Sequence, residues 1–199
     1  MSTADVLAIT DAPTAADLKK VLHVGCGFPN PNKLFSWFRG PEWKEIRLDI
    51  NPDVQPDIVG TMTDMSAVES GSMDAVWSSH NIEHLYQHEV PVALGEFRRV
   101  LKPGGRIVIT CPDLQSVAKL VAEGNLEGVA YTSPAGPIMP LDILYGYGRS
   151  IANGNVYMAH RTGFTDQTLA RAAQNAGFDR IQCKRGNDFD LWLVAHKPG

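Results

Sequence analysis

The sequence predicts a doubly wound α/β fold, and three observations predict it. First, Lys20-Val21-Leu22-His23-Val24 runs apolar residues straight into a glycine pair, Gly25 and Gly27, the pattern of a buried strand ending in a sharp turn. Second, strand-like and helix-like segments alternate along the chain, which builds a sheet with helices packed on it. Third, Arg106-Ile107-Val108-Ile109-Thr110-Cys111 is a β-branched run entered from Lys102-Pro103-Gly104-Gly105, a strand led in by a turn. Ligands of open α/β sheets sit beyond the carboxyl ends of the strands. Gly25 and Gly27 therefore mark a candidate nucleotide-like cofactor site, because glycine admits positive φ and close approach. Taken alone, the pair equally describes a tight turn.

A chain of 199 residues fits one domain over 1–199 with a sizeable core. The hydrophobic fraction is 44%, the charged fraction 20% and the net charge −4, an ordinary globular balance. No lysine/arginine stripe is visible, so nucleic acid is a poor partner. Cys26, Cys111 and Cys183 are scattered and lack a CxxC pair, which argues against a disulfide framework or a thiolate zinc site and fits a reducing cytoplasm. The first twenty residues lack a basic stretch followed by an apolar one, so no signal peptide is expected. No apolar run reaches the length of a membrane span.

In order, residues 1–19 read as a lead-in, with a short helix across 15–20. The prolines Pro29 and Pro31 make a loop, followed by a short helix over 33–38 that Arg39-Gly40-Pro41 stops. Residues 44–50 alternate as a second strand with Asp49 at its carboxyl end, and 56–60 make a short third. Residues 73–78 form a fourth strand running into Ser79-His80-Asn81. A helix is expected from about Glu89 to Leu101, with Pro91 in the first turn where its missing N–H costs little. Another runs from Leu114 to Glu123, with Asp113 as N-cap and Gly124 as stop. Residues 125–163 are irregular and rich in Gly, Pro and Tyr, as expected of a lid or substrate wall. A helix over 165–176 and two strands, 179–184 and 190–196, complete the chain, with one antiparallel strand at the end.

The segments VLHVGCG (21–27), RLDIN (47–51), TDM (63–65), MDAVWSSHNIEHL (73–85) and LKPGGRIVITCPD (101–113) occur in one order, and GFTDQTLARAAQNAGF (163–178) follows. In that ordered set the chain resembles the class I S-adenosylmethionine-dependent methyltransferases of the small type 11 kind. The resemblance implies a Rossmann-like seven-stranded sheet of order 3-2-1-4-5-7-6 with strand 7 antiparallel. It also implies S-adenosylmethionine as cofactor and S-adenosylhomocysteine as product.

The residue chemistry agrees with that cofactor. Gly25, Cys26 and Gly27 would let backbone approach its tail and ribose. Asp49 has two acceptor oxygens for the ribose hydroxyls, with Ile50 beside it. Asp64 would accept from the adenine amino group, and Met65 would offer an N–H and an apolar flank. Ser78 ends the fourth strand, where the family contacts the methionine tail. Two departures stand out. His23 replaces a usual acidic residue, and Phe28-Pro29 stand where a third glycine is common.

His80-Asn81-Ile82-Glu83-His84 is the most chemically loaded cluster. Its HxxEH spelling matches inverted zinc proteases, but it follows a strand, not a helix within such a fold. It also resembles the ExxEH segment of small-RNA 2′-O-methyltransferases, which with a distant histidine binds Mg²⁺. Here His80 replaces the first glutamate and His160 is the distant histidine. The expectation is no metal; were one bound, His80, Glu83, His84 and His160 would hold it, and nitrogen donors would favour zinc-, nickel- or iron-like ions. The expected catalytic groups are His84 or His80 as general base, with His160 as a further candidate. Arg161 is placed to hold an acceptor anion bidentately, and Tyr145, Tyr147 and Tyr157 to wall the pocket.

The function expected is therefore S-adenosylmethionine-dependent O-methylation of a small-molecule or glycan acceptor. No nucleic-acid partner and no membrane span are expected, and a homodimer is compatible. Two other classes stay open: a methyltransferase-fold binding protein without activity, and an NAD-dependent oxidoreductase. The latter wants three spaced glycines opening a helix, which Pro29 and Pro31 oppose.

Overall fold

The computed structural model describes residues 18–199. Most of the expected lead-in, including positions 15–17 of its short helix, lies outside the described residues. Lys19 and Lys20 are strand rather than helix, opening β1 (Lys19–Val24). β2 (Trp43–Asp49), β3 (Ile58–Val59) and β4 (Met73–Ser79) follow, then α1 (Val90–Val100) and β5 (Leu101–Pro112). After these come α2 (Leu114–Ala122), the hairpin β6 (Tyr131–Ser133) and β7 (Gly136–Ile138), α3 (Pro140–Tyr145) and α4 (Gly148–Ala152). The chain ends with α5 (Asp166–Asn175), β8 (Asp179–Arg185) and β9 (Asp190–His196).

The main sheet has seven strands in the order β3-β2-β1-β4-β5-β9-β8. β1 pairs in parallel with both β2 and β4, so the strand order reverses between β1 and β4. β9 runs antiparallel to β5 and to β8. This is the expected order 3-2-1-4-5-7-6, with β8 and β9 as the sixth and seventh strands of the main sheet. The reversal splays the carboxyl ends of β1 and β4 apart and makes the crevice in which such sheets bind ligands.

Strand alternation sends residues to two faces. On one face Leu22, Val76, Ile107 and Ile109 pack under Leu94 and Phe97 of α1 and Leu169 and Ala173 of α5. α1 keeps Ala93, Leu94, Phe97 and Val100 buried, the spacing of one helical stripe. Pro91 sits in its first turn. Thr165 caps α5 by accepting the Thr168 N–H, and Asp113 caps α2 by accepting the Gln115 N–H.

The opposite face departs from the expected helical cover. Val21, Ala75, Trp77 and Val108 are packed by Leu34, Phe35 and Phe38 from the loop after β1. The helix expected over 33–38 is a single 3₁₀ turn, Ser36–Phe38. Pro31 and Gly40-Pro41 leave too few residues between them to nucleate a longer helix. Aromatic rings do the covering instead: Phe35 stacks on Trp77 at 5.2 Å between centroids, and Trp77 on Trp192 at 5.9 Å.

The stretch 125–163 is more ordered than its sequence suggests. It folds as the β6–β7 hairpin, α3, α4 and a 3₁₀ turn at Val156–Met158. Val117, Ile138 and Ile143 form a small satellite core beneath it. Each element is too short to show periodicity, which hid them. The Lys102-Pro103-Gly104-Gly105 turn belongs to β5 as a register shift opposite Met73 and Ala75. Among the described residues, no helix is long and apolar enough to cross a membrane.

Candidate functional site

The crevice beyond β1 and β4 opens into a cavity of about 810 Å³, within the range of small-molecule sites. Its near end is the glycine turn. Gly25 and Gly27 adopt φ of 62° and 59°, the left-handed region that side chains avoid. A Cβ on Gly25 would lie 2.0 Å from Asn81 Oδ1. The Asn81 amide is fixed there, since its Nδ2 donates to the Val24 carbonyl at 3.0 Å and the Ser79 carbonyl at 2.9 Å. Asn81 therefore ties the ends of β1 and β4 together and turns its carbonyl oxygen toward the glycine turn. A Cβ on Gly27 would lie 2.5 Å from Lys33 Nζ, the mobile tip of a long side chain.

Asp49, at the end of β2, braces the same turn. Its Oδ2 accepts the Gly27 N–H at 2.7 Å, and its Oδ1 accepts the Asn51 N–H at 2.9 Å. Each oxygen keeps a further acceptor position. Arg47 adds a second brace by donating to the Gly27 carbonyl at 2.5 Å. His23 is buried with Nδ1 2.5 Å from Glu45 Oε1. Burial pushes the imidazole below its ordinary value, against the pull of Glu45.

The other expected cofactor residues divide. Gly25, Gly27, Asp49 and Ile50 line the cavity. Cys26 does not: it is buried under the turn with its N–H on the Leu48 carbonyl at 3.2 Å. Ser78 is also buried away from it, while Ser79 and His80 face it. Asp64 opens onto a separate shallow hollow with Glu96 and Arg99, and its carboxylate accepts the Ser66 N–H at 3.0 Å. Met65 is buried with its N–H already donated to Glu96 at 2.8 Å. Gly60, Thr61, Met62 and Thr63 line the cavity in place of these two. Of the TDM string, Thr63 lines this cavity and Asp64 and Met65 do not. Lys33 and Trp192 also line the cavity, unforeseen because they reach it from the irregular 28–42 loop and from β9, and Trp77 of β4 and Asn81 just after it join them.

Histidines line the same cavity. His80 and His84 line the cavity with Arg161 and Tyr157. Tyr145 and Tyr147 do not; the Tyr147 hydroxyl donates to the Ala135 carbonyl at 3.1 Å. His80 has φ +52°, rare for a side-chain-bearing residue, and its ring is half-exposed. Glu83 is buried behind it, with Oε1 3.5 Å from His80 Nδ1 and 4.0 Å from His160 Nε2. Burial would raise the Glu83 carboxyl, but His80, His84 and His160 outweigh it and hold it below its ordinary value. Burial likewise opposes the charged form of His80, yet Glu83 and Asp190 raise that ring above its ordinary value. His160 lies under the cavity wall, lowered chiefly by burial. The structure therefore gathers all four residues of the HxxEH…His set in one place.

The fold recurs in known proteins. Residues 22–109 match the methyltransferase domain family. A SAM-dependent methyltransferase from Archaeoglobus fulgidus is 16% identical, with a TM-score of 0.58 over 90% of this chain and 86% of that one. Another, from Methanosarcina mazei, is 16% identical at a TM-score of 0.58, covering 92% of this chain and 93% of that one. The 1,6-didemethyltoxoflavin-N1-methyltransferase of Burkholderia thailandensis was solved with 1,6-didemethyltoxoflavin and S-adenosylhomocysteine bound. It is 15% identical, with a TM-score of 0.56 over 92% of this chain and 73% of that one. At these identities the structural likeness is one of fold. No curated protein matches the sequence. Two of these fold relatives are described as SAM-dependent methyltransferases, and a third was solved with S-adenosylhomocysteine. No helix begins at the glycine turn to bring its N-terminus to a pyrophosphate, which disfavours the dinucleotide alternative.

Proposed function

We propose that this chain transfers a methyl group from S-adenosylmethionine to a hydroxyl of a small-molecule or glycan-type acceptor. One observation carries the reading: a single cavity is lined both by the glycine turn with Asp49 and by His80 with His84. Cofactor and acceptor can then meet inside it.

At the cofactor end, Asp49 takes the ribose hydroxyls, and Ile50 with Met62 flanks the adenine. Thr63 bounds that end, while Asp64, Met65, Cys26 and Ser78 support the walls from behind. The Asn81 carbonyl oxygen accepts from the ammonium of the tail, and Lys33 pairs with its carboxylate. When bound, the cofactor supplies an electrophilic methyl on a sulfonium centre. The chain's own contribution is mostly alignment of the acceptor oxygen with that methyl. His80, reaching into the cavity and steadied by Glu83, takes the hydroxyl proton. Arg161 holds the acceptor, with His84 beside it. The three cysteines are free, and burial pushes the Cys183 thiol up to about 11; a reducing compartment suits them.

A panel of hydroxyl-bearing acceptors tests this, read by S-adenosylhomocysteine release and by mass shift of the product. Transfer to oxygen is expected, and His80→Gln should lower kcat by about 10²- to 10⁴-fold while leaving cofactor affinity unchanged. Transfer only to nitrogen or carbon would overturn the O-methylation reading. Cofactor binding without transfer to any acceptor would leave a binding protein.

A further inference from the structure

We propose that Glu83, His84 and His160 form a binding site for a divalent transition-metal ion of the zinc class, set behind the acceptor end of the cavity. Their ligand atoms all lie within 4.8 Å of one another. The ligand atoms of a tetrahedral zinc are about 3.3 Å apart, from Zn–N bonds of about 2.0–2.1 Å, so side-chain rotations of modest size close the set.

Three independent features point to a ligand. Glu83 is almost fully buried, yet neither carboxylate oxygen has a hydrogen-bond partner. Its nearest positive partners are the His80 and His160 rings, 3.5 and 4.0 Å from Oε1, and a buried carboxylate paired that loosely gains from a bound cation. Next, both histidine rings are already turned for coordination. His84 Nδ1 faces the Ala159 carbonyl at 3.2 Å and His160 Nδ1 faces the Ile143 carbonyl at 2.9 Å. Each Nδ1–H donates there, which fixes the tautomer and leaves Nε2 with its lone pair free, the arrangement typical of metal-bound histidine. Last, the frame is rigid. The Glu83 carbonyl accepts the N–H groups of Arg161 and Thr162 at 2.8 and 3.2 Å, and the His160 N–H donates to Tyr145 at 3.1 Å. The loop carrying His160 is thus stapled by backbone to the turn carrying Glu83 and His84.

Two imidazoles and one carboxylate suit zinc, cobalt, nickel or ferrous iron and are a poor set for Mg²⁺, which wants oxygen. Three protein ligands leave a fourth position open. His84 also lines the cavity, so an ion held there would lie beside the acceptor. This last point rests on the O-methylation reading; ion binding itself does not. In that setting a bound ion would lower the pKa of the acceptor hydroxyl. Its proton passes to His80 as the carbon–sulfur bond breaks and the carbon–oxygen bond forms, and S-adenosylhomocysteine leaves as a neutral thioether.

The test uses the full chain, tag-free and stripped with chelator, titrated with Zn²⁺, Co²⁺ and Mg²⁺ by calorimetry. One Zn²⁺ per chain is expected, with visible absorption bands of low-coordinate cobalt. Glu83→Gln and His160→Gln should each weaken Zn²⁺ at least tenfold, and His88→Gln should not. Should a variant melt early, the wild-type chain decides by itself: the ring resonances of His84 and His160 shift on adding Zn²⁺. No stoichiometric Zn²⁺, unchanged affinity in both variants, unmoved resonances, or Mg²⁺ bound more tightly than Zn²⁺ would each overturn the proposal. S-adenosylmethionine titrated in parallel separates the readings. Ion binding without cofactor binding sinks the proposed function alone, and the converse sinks the metal site alone.

Discussion

Asp49 Oδ2 accepts the Gly27 N–H at 2.7 Å, so the end of β2 holds the turn at the end of β1. That turn is needed by the protein's own packing as well as by a ligand. Gly25 is the tighter of its two glycines, because the atom in its Cβ position is the pinned Asn81 amide and not a mobile lysine tip. Gly25→Ala should cost about 3 kcal/mol, from left-handed strain and two displaced Asn81 hydrogen bonds. Gly27→Ala should cost only about 1–2 kcal/mol, chiefly strain. Urea unfolding of the two variants checks the order; equal losses would contradict it.

Lys33 reaches over Gly27 with its ammonium. If it pairs with the carboxylate of the cofactor tail, Lys33→Ala should weaken S-adenosylmethionine binding by about three- to tenfold, an exposed-pair magnitude or slightly more. The loss should shrink as salt is raised. Calorimetry at two ionic strengths measures it.

Phe38, from the loop after β1, is buried with Trp43 edge-on at 4.8 Å. Phe38→Ala should destabilise the chain by about 3–5 kcal/mol, the penalty of a true core residue. A surface-like loss below about 1 kcal/mol would mean that this loop is not the sheet's cover.

Glu96 and Arg99 staple the loop beside the cofactor end. Glu96 accepts the Met65 N–H at 2.8 Å, and Arg99 donates to the Met65 carbonyl at 2.7 Å. The Arg99 guanidinium holds the Glu96 carboxyl below its ordinary value of 4.5. A carboxyl lowered on folding adds stability above its ordinary value and loses it as pH falls through the folded-state value. The pair is partly exposed, so about 1 kcal/mol is expected. Glu96→Gln should therefore be less stable than wild type by that amount at pH 6 and no less stable at pH 3, by denaturant titration.

The sheet was legible in the sequence because its strands are apolar runs closed by glycine, proline or asparagine. Arg106–Cys111 and Met73–Ser78 needed nothing more than that pattern. Two regions were not legible, for physical reasons. Residues 28–42 cover a sheet face through Phe35 and Phe38 without helical periodicity, and no spacing rule reports ring stacking. The elements between 125 and 163 are short and held by the Val117, Ile138 and Ile143 cluster, a long-range contact. At the site, Asp49 and the glycines were readable from their place at strand ends. Asp64 and Met65 lie outside the cavity, because the turn at 61–64 decides which side chains face inward. His160 was readable only as a candidate; the Arg161 and Thr162 hydrogen bonds to Glu83 bring it to the cluster.

The central claim is that the glycine turn and Asp49 hold S-adenosylmethionine. Its most direct test is calorimetric titration of the full chain with S-adenosylmethionine and S-adenosylhomocysteine, with NAD as control and Asp49→Ala alongside. Micromolar binding of both sulfur compounds and none of NAD is expected. Asp49→Ala, still folded by its melting curve, should lose about 30-fold or more, the worth of two hydrogen bonds to a charged acceptor. No binding of either compound to the wild-type chain, or equal binding by Asp49→Ala, would contradict the claim.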